Sequence, residues 1–169
     1  MTEQIKVEET INWPLGVTRE VVDKLIAKKW TISFAESCTG GLVAARLVSI
    51  PDASKVFAAS VVTYANEAKM KYVDVDVDTI MDYGVVSEEV ALQMARGVAI
   101  ANDAQVGVGI SGIAGPTGAT KTKPIGMVCF GFVIGDKAFA RTCQFGELGR
   151  DAVRLASVDY VYEVLSKEL

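Results

Sequence analysis

The chain has 169 residues, half of them apolar and 22% charged, with a formal net charge of −4 at pH 7. This length suits one domain with one hydrophobic core, and no apolar run reaches the length of a membrane span. Lysine and arginine are dispersed along the sequence, which disfavours nucleic acid as a partner. The chain has no histidine, which excludes a Ser-His-Asp triad, a Cys-His pair and a histidine metal site.

The three cysteines are widely spaced, at Cys38, Cys129 and Cys143. An odd number without a CxxC pair indicates reduced thiols in a cytoplasmic protein and no zinc site. Residues 1–12 are polar and lack the apolar core of a signal peptide, so we expect a flexible arm ahead of a single domain over residues 13–169. The dispersed carboxylates predict no metal site, and no cofactor is expected.

Helices and strands alternate in the first half of the chain. Apolar residues at helical spacing predict a helix over about 17–29, with Thr18 as its N-cap. Glu36 to Gly41 is expected to open a helix that runs to about Val48. The remaining predictions here are strands at 31–34 and 56–64 and helices at 67–72, 79–83 and 87–102.

The second half predicts strands and one helix. A strand is expected at 104–110, two strands at 126–134 and 137–144 joined by a tight Gly135-Asp136 turn, and a final helix at 149–165. This order predicts an α/β fold, a three-layer α/β/α domain with a mixed, mostly parallel sheet and a late antiparallel hairpin.

A glycine-rich loop over 111–118 follows the apolar run 106–110. Glycine permits close backbone approach, and ligands in open α/β sheets bind beyond the carboxyl ends of strands. The loop therefore predicts a ligand site, and the alternative is a tight crossover between two buried strands. The predicted substrate-binding residues of this loop are Ser111, Gly112, Ala114, Gly115, Thr117 and Gly118.

A second loop joins a strand to a helix and contains Ser37, Thr39, Gly40 and Gly41. Its N–H groups and the helix dipole could bind an anion of the substrate. The alternative is that Thr39 only caps the helix and that the glycines only permit close packing. Cys38 is a weaker candidate nucleophile, because no histidine is present to activate it.

Acyl transfer without histidine can use a serine with a lysine base. Ser54, Tyr64 and Lys69 lie close together in the sequence and offer such a set. The lysine must then be neutral, so burial or a nearby cation must lower its pKa. The alternative is that Ser54 caps a turn and Lys69 is solvated. Arg150, at the start of the final helix, could hold an anion or lie unpaired at the surface.

Together these segments resemble the C-terminal domain of the CinA competence/damage-inducible family, which occurs in many bacteria as a free-standing nicotinamide mononucleotide amidohydrolase. The resemblance covers about residues 17–165. It rests on Ala35-Glu36-Ser37-Cys38-Thr39-Gly40-Gly41, Val62-Thr63-Tyr64-Ala65-Asn66-Glu67-Ala68-Lys69, Gly84 to Val90, Ser111 to Gly118 and Lys123-Pro124-Ile125-Gly126.

The resemblance implies hydrolysis of the carboxamide of nicotinamide mononucleotide by a serine and a lysine, assisted by a tyrosine and an arginine. By motif position these are Ser54, Lys69, Tyr64 and Arg150, and Asn66 joins the substrate-binding residues. A pyridine mononucleotide is then the partner, and we expect a homo-oligomer. The alternative function is a non-catalytic nucleotide-binding module linked to competence or DNA damage.

Overall fold

The computed structural model describes residues 12–169, so the predicted arm lies outside the described residues except for Asn12. The helices are α1 (Leu15–Lys28), α2 (Leu42–Val48), α3 (Asn66–Val73), α4 (Val77–Tyr83), α5 (Glu88–Ala101) and α6 (Arg150–Glu168). The strands are β1 (Ile32–Glu36), β2 (Phe57–Val62), β3 (Val106–Gly112), β4 (Met127–Ile134) and β5 (Lys137–Gln144). A short 3-10 turn, Ala53–Lys55, precedes β2.

The five strands form one mixed sheet in the order β2-β1-β3-β4-β5. β1 pairs in parallel with β2 and β3, whereas β4 runs antiparallel to both β3 and β5. Four strands therefore point in the same direction, and β4 alone is reversed. The predicted α/β fold with a mixed sheet and a late hairpin is confirmed.

Helices cover both faces of this sheet. α1, α2 and α6 pack on one face over the largest hydrophobic cluster, which includes Phe34, Phe130 and Tyr162. α3, α4 and α5 lie on the other face, where α5 packs over Ala35 through Met94 and Val98. These are the three predicted layers. Among residues 12–169, no helix combines the length and apolar character that a bilayer crossing requires.

Glycines in the central strands allow α5 to lie very close to the sheet. A Cβ at Gly109 or Gly131 would meet the carbonyl oxygen of Ala91 at 2.2 Å or 2.1 Å. Real side chains do not tolerate such distances, so the two glycines set how closely this helix approaches. The close approach fixes α5 and the loop before it against the end of β3.

Two local predictions were wrong. α1 begins at Leu15 rather than at a Thr18 cap, and Thr18 is instead buried, where its hydroxyl accepts a hydrogen bond from Arg46 Nε at 2.8 Å. α2 begins at Leu42, so the residues from Ser37 to Gly41 form a loop and not the first turn of a helix. Gly41 has φ of +97°, a left-handed conformation that suits glycine and separates loop from helix.

Candidate active site

A cavity of about 320 Å³ lies where β1, β2 and β3 end at the same edge of the sheet. This is the edge at which open α/β sheets bind ligands. The first turn of α3 and the start of α6 complete its walls. Its lining residues include Ser37, Cys38, Tyr64, Asn66, Lys69, Val85, Val86, Ser111, Gly112, Ala114, Gly115, Thr117, Gly118 and Arg150.

Lys69 reaches this cavity from α3 and is only 1% exposed. Its Nζ atom donates to the carbonyl oxygens of Thr63 at 2.6 Å and Tyr64 at 3.2 Å, and lies 3.1 Å from Ser37 Oγ. No carboxylate among residues 12–169 forms an ion pair with it. Lys69 is therefore bound by two backbone carbonyl groups and one hydroxyl group, and no carboxylate of the described residues serves as its counter-ion.

Burial lowers the pKa of Lys69 from 10.5 to about 8, with a small opposing effect from Cys38. Removing an ammonium from water disfavours its charged form, and no carboxylate offsets that cost here. At pH 7 roughly a tenth of such a group is neutral. The pKa therefore lies close enough to neutrality for Lys69 to accept a proton from a neighbouring hydroxyl.

Ser37 is the first residue after β1. Its N–H extends the sheet by donating to the carbonyl oxygen of Ile110 at 3.1 Å, and its own carbonyl accepts from Gly40 N–H at 3.1 Å. The next two N–H groups, those of Cys38 and Thr39, donate to no other residue among residues 12–169. The serine hydroxyl therefore follows the end of a strand directly and is followed by two N–H groups that bind no other residue among those described.

The start of α2 is occupied by Glu36, whose carboxylate is completely buried. One oxygen accepts from the N–H groups of Gly41 at 2.9 Å and Val43 at 3.2 Å, and the other from Ala44 N–H at 3.0 Å. The structure therefore corrects two expectations. Thr39 does not cap the helix, and its N-terminus cannot bind a substrate anion, because its donors already bind a negative charge.

Tyr64 and Arg150 meet at the mouth of the cavity. Arg150 Nη2 donates to the Tyr64 hydroxyl at 3.0 Å, and Nη1 donates to the carbonyl oxygen of Gly115 at 2.9 Å. These contacts link the start of α6, the end of β2 and the glycine-rich loop. They place a guanidinium group beside that loop, where an anionic part of a ligand could lie.

Ser111 has a structural contact within the wall of the cavity. Its hydroxyl donates to the carbonyl oxygen of Val85 at 2.7 Å, and its residue is 1% exposed. This bond joins the end of β3 to the segment before α5. Asn66, by contrast, is exposed at the first position of α3 and faces the cavity freely.

Ser54 does not meet Lys69. It is exposed in the 3-10 turn before β2, whereas Thr63 and Tyr64, which bind Lys69, follow the end of that strand. Six residues of strand span roughly 20 Å, so Ser54 lies at the opposite edge of the sheet. The expected Ser54–Lys69 pair is thus corrected to a Ser37–Lys69 pair, because Ser37 is the serine that follows a strand.

Cys38 lines the cavity but is only 6% exposed. Burial raises the pKa of its thiol to about 11, with a further raising contribution from Glu36. A thiol with this pKa carries almost no thiolate at neutral pH, which makes it a poor nucleophile. The geometry and the pKa both favour the hydroxyl of the preceding residue.

Most of the predicted site residues come together in this cavity. Those outside its walls are Ser54, Thr39, Gly40 and Gly41. The sequence patterns predicted only substrate binding for Ser37 and no role for Glu36 or Arg154. The position of Ser37 three residues beyond the predicted strand 31–34 was the available signal. No group of three metal-ligating side chains occurs within residues 12–169.

The chain is similar to known proteins over most of its length. The model of the CinA C-terminal domain matches residues 15–169. A relative from Alkaliphilus oremlandii is 43% identical over 173 residues, and a CinA-like protein from Kosmotoga olearia is 41% identical over 150 residues. These matches cover 96% and 86% of this chain. The chain spans 42% and 36% of the length of these two curated relatives.

Solved structures are similar over the whole fold. The competence-damaged protein (CinA) superfamily protein from Escherichia coli has a TM-score of 0.88 at 32% identity, covering 99% of this chain and 95% of that one. The competence/damage inducible protein CihA from Agrobacterium tumefaciens has a TM-score of 0.82 at 35% identity, with coverages of 89% and 94%.

Proposed function

This chain belongs to the CinA C-terminal domain family, and from that membership and the site geometry we propose that it hydrolyses the carboxamide of nicotinamide mononucleotide to nicotinate mononucleotide and ammonia. The observation that carries the proposal is the buried Lys69 Nζ, which lies 3.1 Å from Ser37 Oγ and has no carboxylate partner in the described part of the chain. A serine activated by a neutral lysine is a known solution for acyl transfer in the absence of histidine. The substrate itself comes from the family resemblance.

In the first half of the reaction, Ser37 Oγ attacks the carboxamide carbon and neutral Lys69 takes the hydroxyl proton. The carbonyl oxygen becomes an oxyanion, for which the N–H group of Cys38, which lines the cavity, is the candidate donor. One such donor contributes about 3 kcal/mol in comparable sites. The ammonium of Lys69 then returns the proton to the leaving nitrogen, and ammonia departs as the acyl-enzyme forms.

In the second half, water attacks the ester of Ser37. Lys69 accepts a proton from that water and passes it to Ser37 Oγ as the carboxylic acid product leaves. The two half-reactions consume one water and one carboxamide and yield one ammonia and one carboxylic acid, which ionises by releasing a proton to solvent. Lys69 therefore has to be neutral at the start of each half, which the lowered pKa allows.

The remaining walls suit the rest of a mononucleotide. Arg150 supplies a cation for the phosphate, beside the exposed end of the glycine-rich loop at Thr117 and Gly118. Tyr64 orients Arg150 through its hydroxyl and Lys69 through its carbonyl group. Asn66 offers an amide for the ribose hydroxyls. The phosphate is thereby assigned to the Arg150 side and not to the start of α2.

The test is ammonia release from nicotinamide mononucleotide by the parent chain and by Ser37→Ala, Lys69→Ala and Ser54→Ala. We expect the first two variants to lose activity by at least about 10³-fold, since each removes one half of the reacting pair. Ser54→Ala is a matched control, because it also removes a serine hydroxyl, but at the opposite end of the strands, before β2. It should retain the parent rate.

Two outcomes would contradict the proposal. If Ser37→Ala releases ammonia at the parent rate, Ser37 is not the nucleophile. If only Ser54→Ala loses activity, the nucleophile is Ser54, as expected from the sequence. Tight binding of the mononucleotide without ammonia release would instead support the non-catalytic nucleotide-binding module.

A further inference from the structure

Arg154 holds the loop after Ser37 from the side of α6. Its Nε donates to the carbonyl oxygen of Cys38 at 3.1 Å, and its Nη2 donates to the carbonyl oxygen of Thr39 at 3.3 Å. Its Nη1 pairs with Asp151 at 3.1 Å, but the Asp151 side chain is 86% exposed. The Arg154 side chain is 26% exposed, so its bonds to the two loop carbonyls are better shielded from solvent than its pair with Asp151.

Arg154 is distinct from the arginine of the cavity. It lies one helical turn after Arg150, but only Arg150 lines the cavity. Arg154 instead faces the outer side of the loop, where its Nη2 atom would lie 3.6 Å from a Cβ placed on Gly40. Arg154 therefore contacts the loop and does not line the cavity.

The carbonyl contacts fix the direction of a peptide plane. The Cys38 carbonyl is bound by Arg154, which fixes the peptide plane that follows Cys38. Thr39 is completely buried and lies outside the cavity walls, whereas Cys38 lines the cavity. The Cys38 N–H donates to no other residue within residues 12–169, so it is the candidate oxyanion donor of this loop.

We propose that Arg154 is a positioning residue for acyl transfer, which holds the peptide after Cys38 and thereby the Cys38 N–H of the oxyanion site. The inference rests on the proposed function of Ser37 as the nucleophile. Without Arg154 the two loop carbonyls lose their donors and are free to turn toward the cavity. A carbonyl dipole there would repel the oxyanion. The variant should therefore stabilise the transition state less well, whereas its binding of the substrate should be unchanged.

The experiment compares Arg154→Ala with Asp151→Asn, a matched control that removes the exposed ion pair and leaves the loop carbonyls bound. Ammonia release gives kcat and KM. A fluorophosphonate probe gives a second rate, because Ser37 Oγ forms a bond to phosphorus, the P–F bond breaks, fluoride leaves and Lys69 takes the proton. Mass spectrometry locates the adduct. Thermal unfolding shows that each variant is folded.

We expect Arg154→Ala to lower kcat and the labelling rate by about 10- to 100-fold with KM within twofold of the parent. Added guanidinium, at concentrations far below denaturing ones, should restore part of both rates, whereas methylammonium should not. Asp151→Asn should match the parent. A merely structural role of Arg154 would not produce this split between kcat and KM or the selective rescue.

Failure of the inference differs from failure of the proposed function. A folded Arg154→Ala variant that is labelled at the parent rate, or whose loss lies in KM alone, overturns the role of Arg154. If the parent is labelled at Ser37 but releases no ammonia, nicotinamide mononucleotide is not the substrate, and the labelling rates still test the role of Arg154. A parent that is neither labelled nor active overturns both.

Discussion

Lys69 Nζ lies 3.1 Å from Ser37 Oγ, and its other two hydrogen bonds go to the carbonyl oxygens of Thr63 and Tyr64. A neutral amine has two N–H donors and one lone pair. The two carbonyls can accept only the donors, so the lone pair is left for the serine hydroxyl. The backbone at the end of β2 therefore determines that a neutral Lys69 acts as a base toward Ser37.

The first prediction concerns the pH dependence of activity. Because Lys69 must be neutral and its pKa is about 8, kcat/KM for ammonia release should rise about tenfold per pH unit below pH 7.5 and level off above pH 8.5. Initial rates between pH 6 and 9.5 measure this profile. A rate that is independent of pH across this range would mean that Lys69 is not the base.

The second prediction concerns stability at alkaline pH. The pKa of Lys69 is about 8 in the folded chain against 10.5 as the ordinary value, so between these pH values the unfolded chain binds more protons. Stability must then rise with pH across that window. This pKa shift corresponds to a change of about 3 kcal/mol in the free energy of unfolding across the window.

Lys69→Met provides the comparison, because it lacks the titrating group. The free energy of unfolding of the parent, measured relative to this variant by urea denaturation, should increase between pH 8 and 10.5. Other groups that titrate in this range are common to both chains and cancel in the difference. A difference that stays constant or falls with pH would contradict the lowered pKa.

The sequence predicted the fold well because the fold depends on local patterns. Apolar alternation and helical spacing fixed the elements, and the turn at Gly135-Asp136 marked the hairpin. Which serine meets Lys69, by contrast, depends on how strands distant in the sequence pair with each other. β1 and β2 run parallel, so the residues after both strands meet at one edge, and Ser54, which precedes β2, is carried to the other edge.

Glu36 shows a second limit of the sequence. A carboxylate within a strand reads as a residue exposed to solvent, but Glu36 is completely buried. Its partners are backbone N–H groups that exist only once α2 begins at Leu42. The contacts of Glu36 and Arg154 depend on where α2 begins and on how α6 packs beside the loop, so neither residue could be assigned from composition or spacing.

The third prediction is that Glu36→Gln destabilises the fold and slows the reaction. A glutamine amide can present one oxygen to the three N–H groups, and its NH₂ group must then face a donor. An unsatisfied buried contact of this kind costs about 1–3 kcal/mol, measured as the free energy of unfolding in urea. Glu163→Gln, at an exposed position on α6, is the control and should match the parent.

The fourth prediction is that Cys38→Ser remains active. The buried thiol has a pKa of about 11, and our proposal gives its side chain no step, so ammonia release should stay within about threefold of the parent. Iodoacetamide at pH 7.5 should modify Cys38 slowly in the folded chain, as followed by mass spectrometry. A loss as large as that of Ser37→Ala would make the thiol the nucleophile.

The fifth prediction tests the close packing of α5 on the sheet. Gly131→Ala places a Cβ 2.1 Å from the carbonyl oxygen of Ala91, and a backbone atom cannot move aside as a flexible side chain can. We expect destabilisation by about 1–3 kcal/mol in chemical denaturation, because the helix must shift away from β4. Gly16→Ala is the matched control, since a Cβ there meets nothing within 4 Å and the position lies in α1. Alanine favours a helix by up to about 1 kcal/mol over glycine, so the control should equal or exceed the parent, and equal losses in both variants would mean that close packing is not the cause.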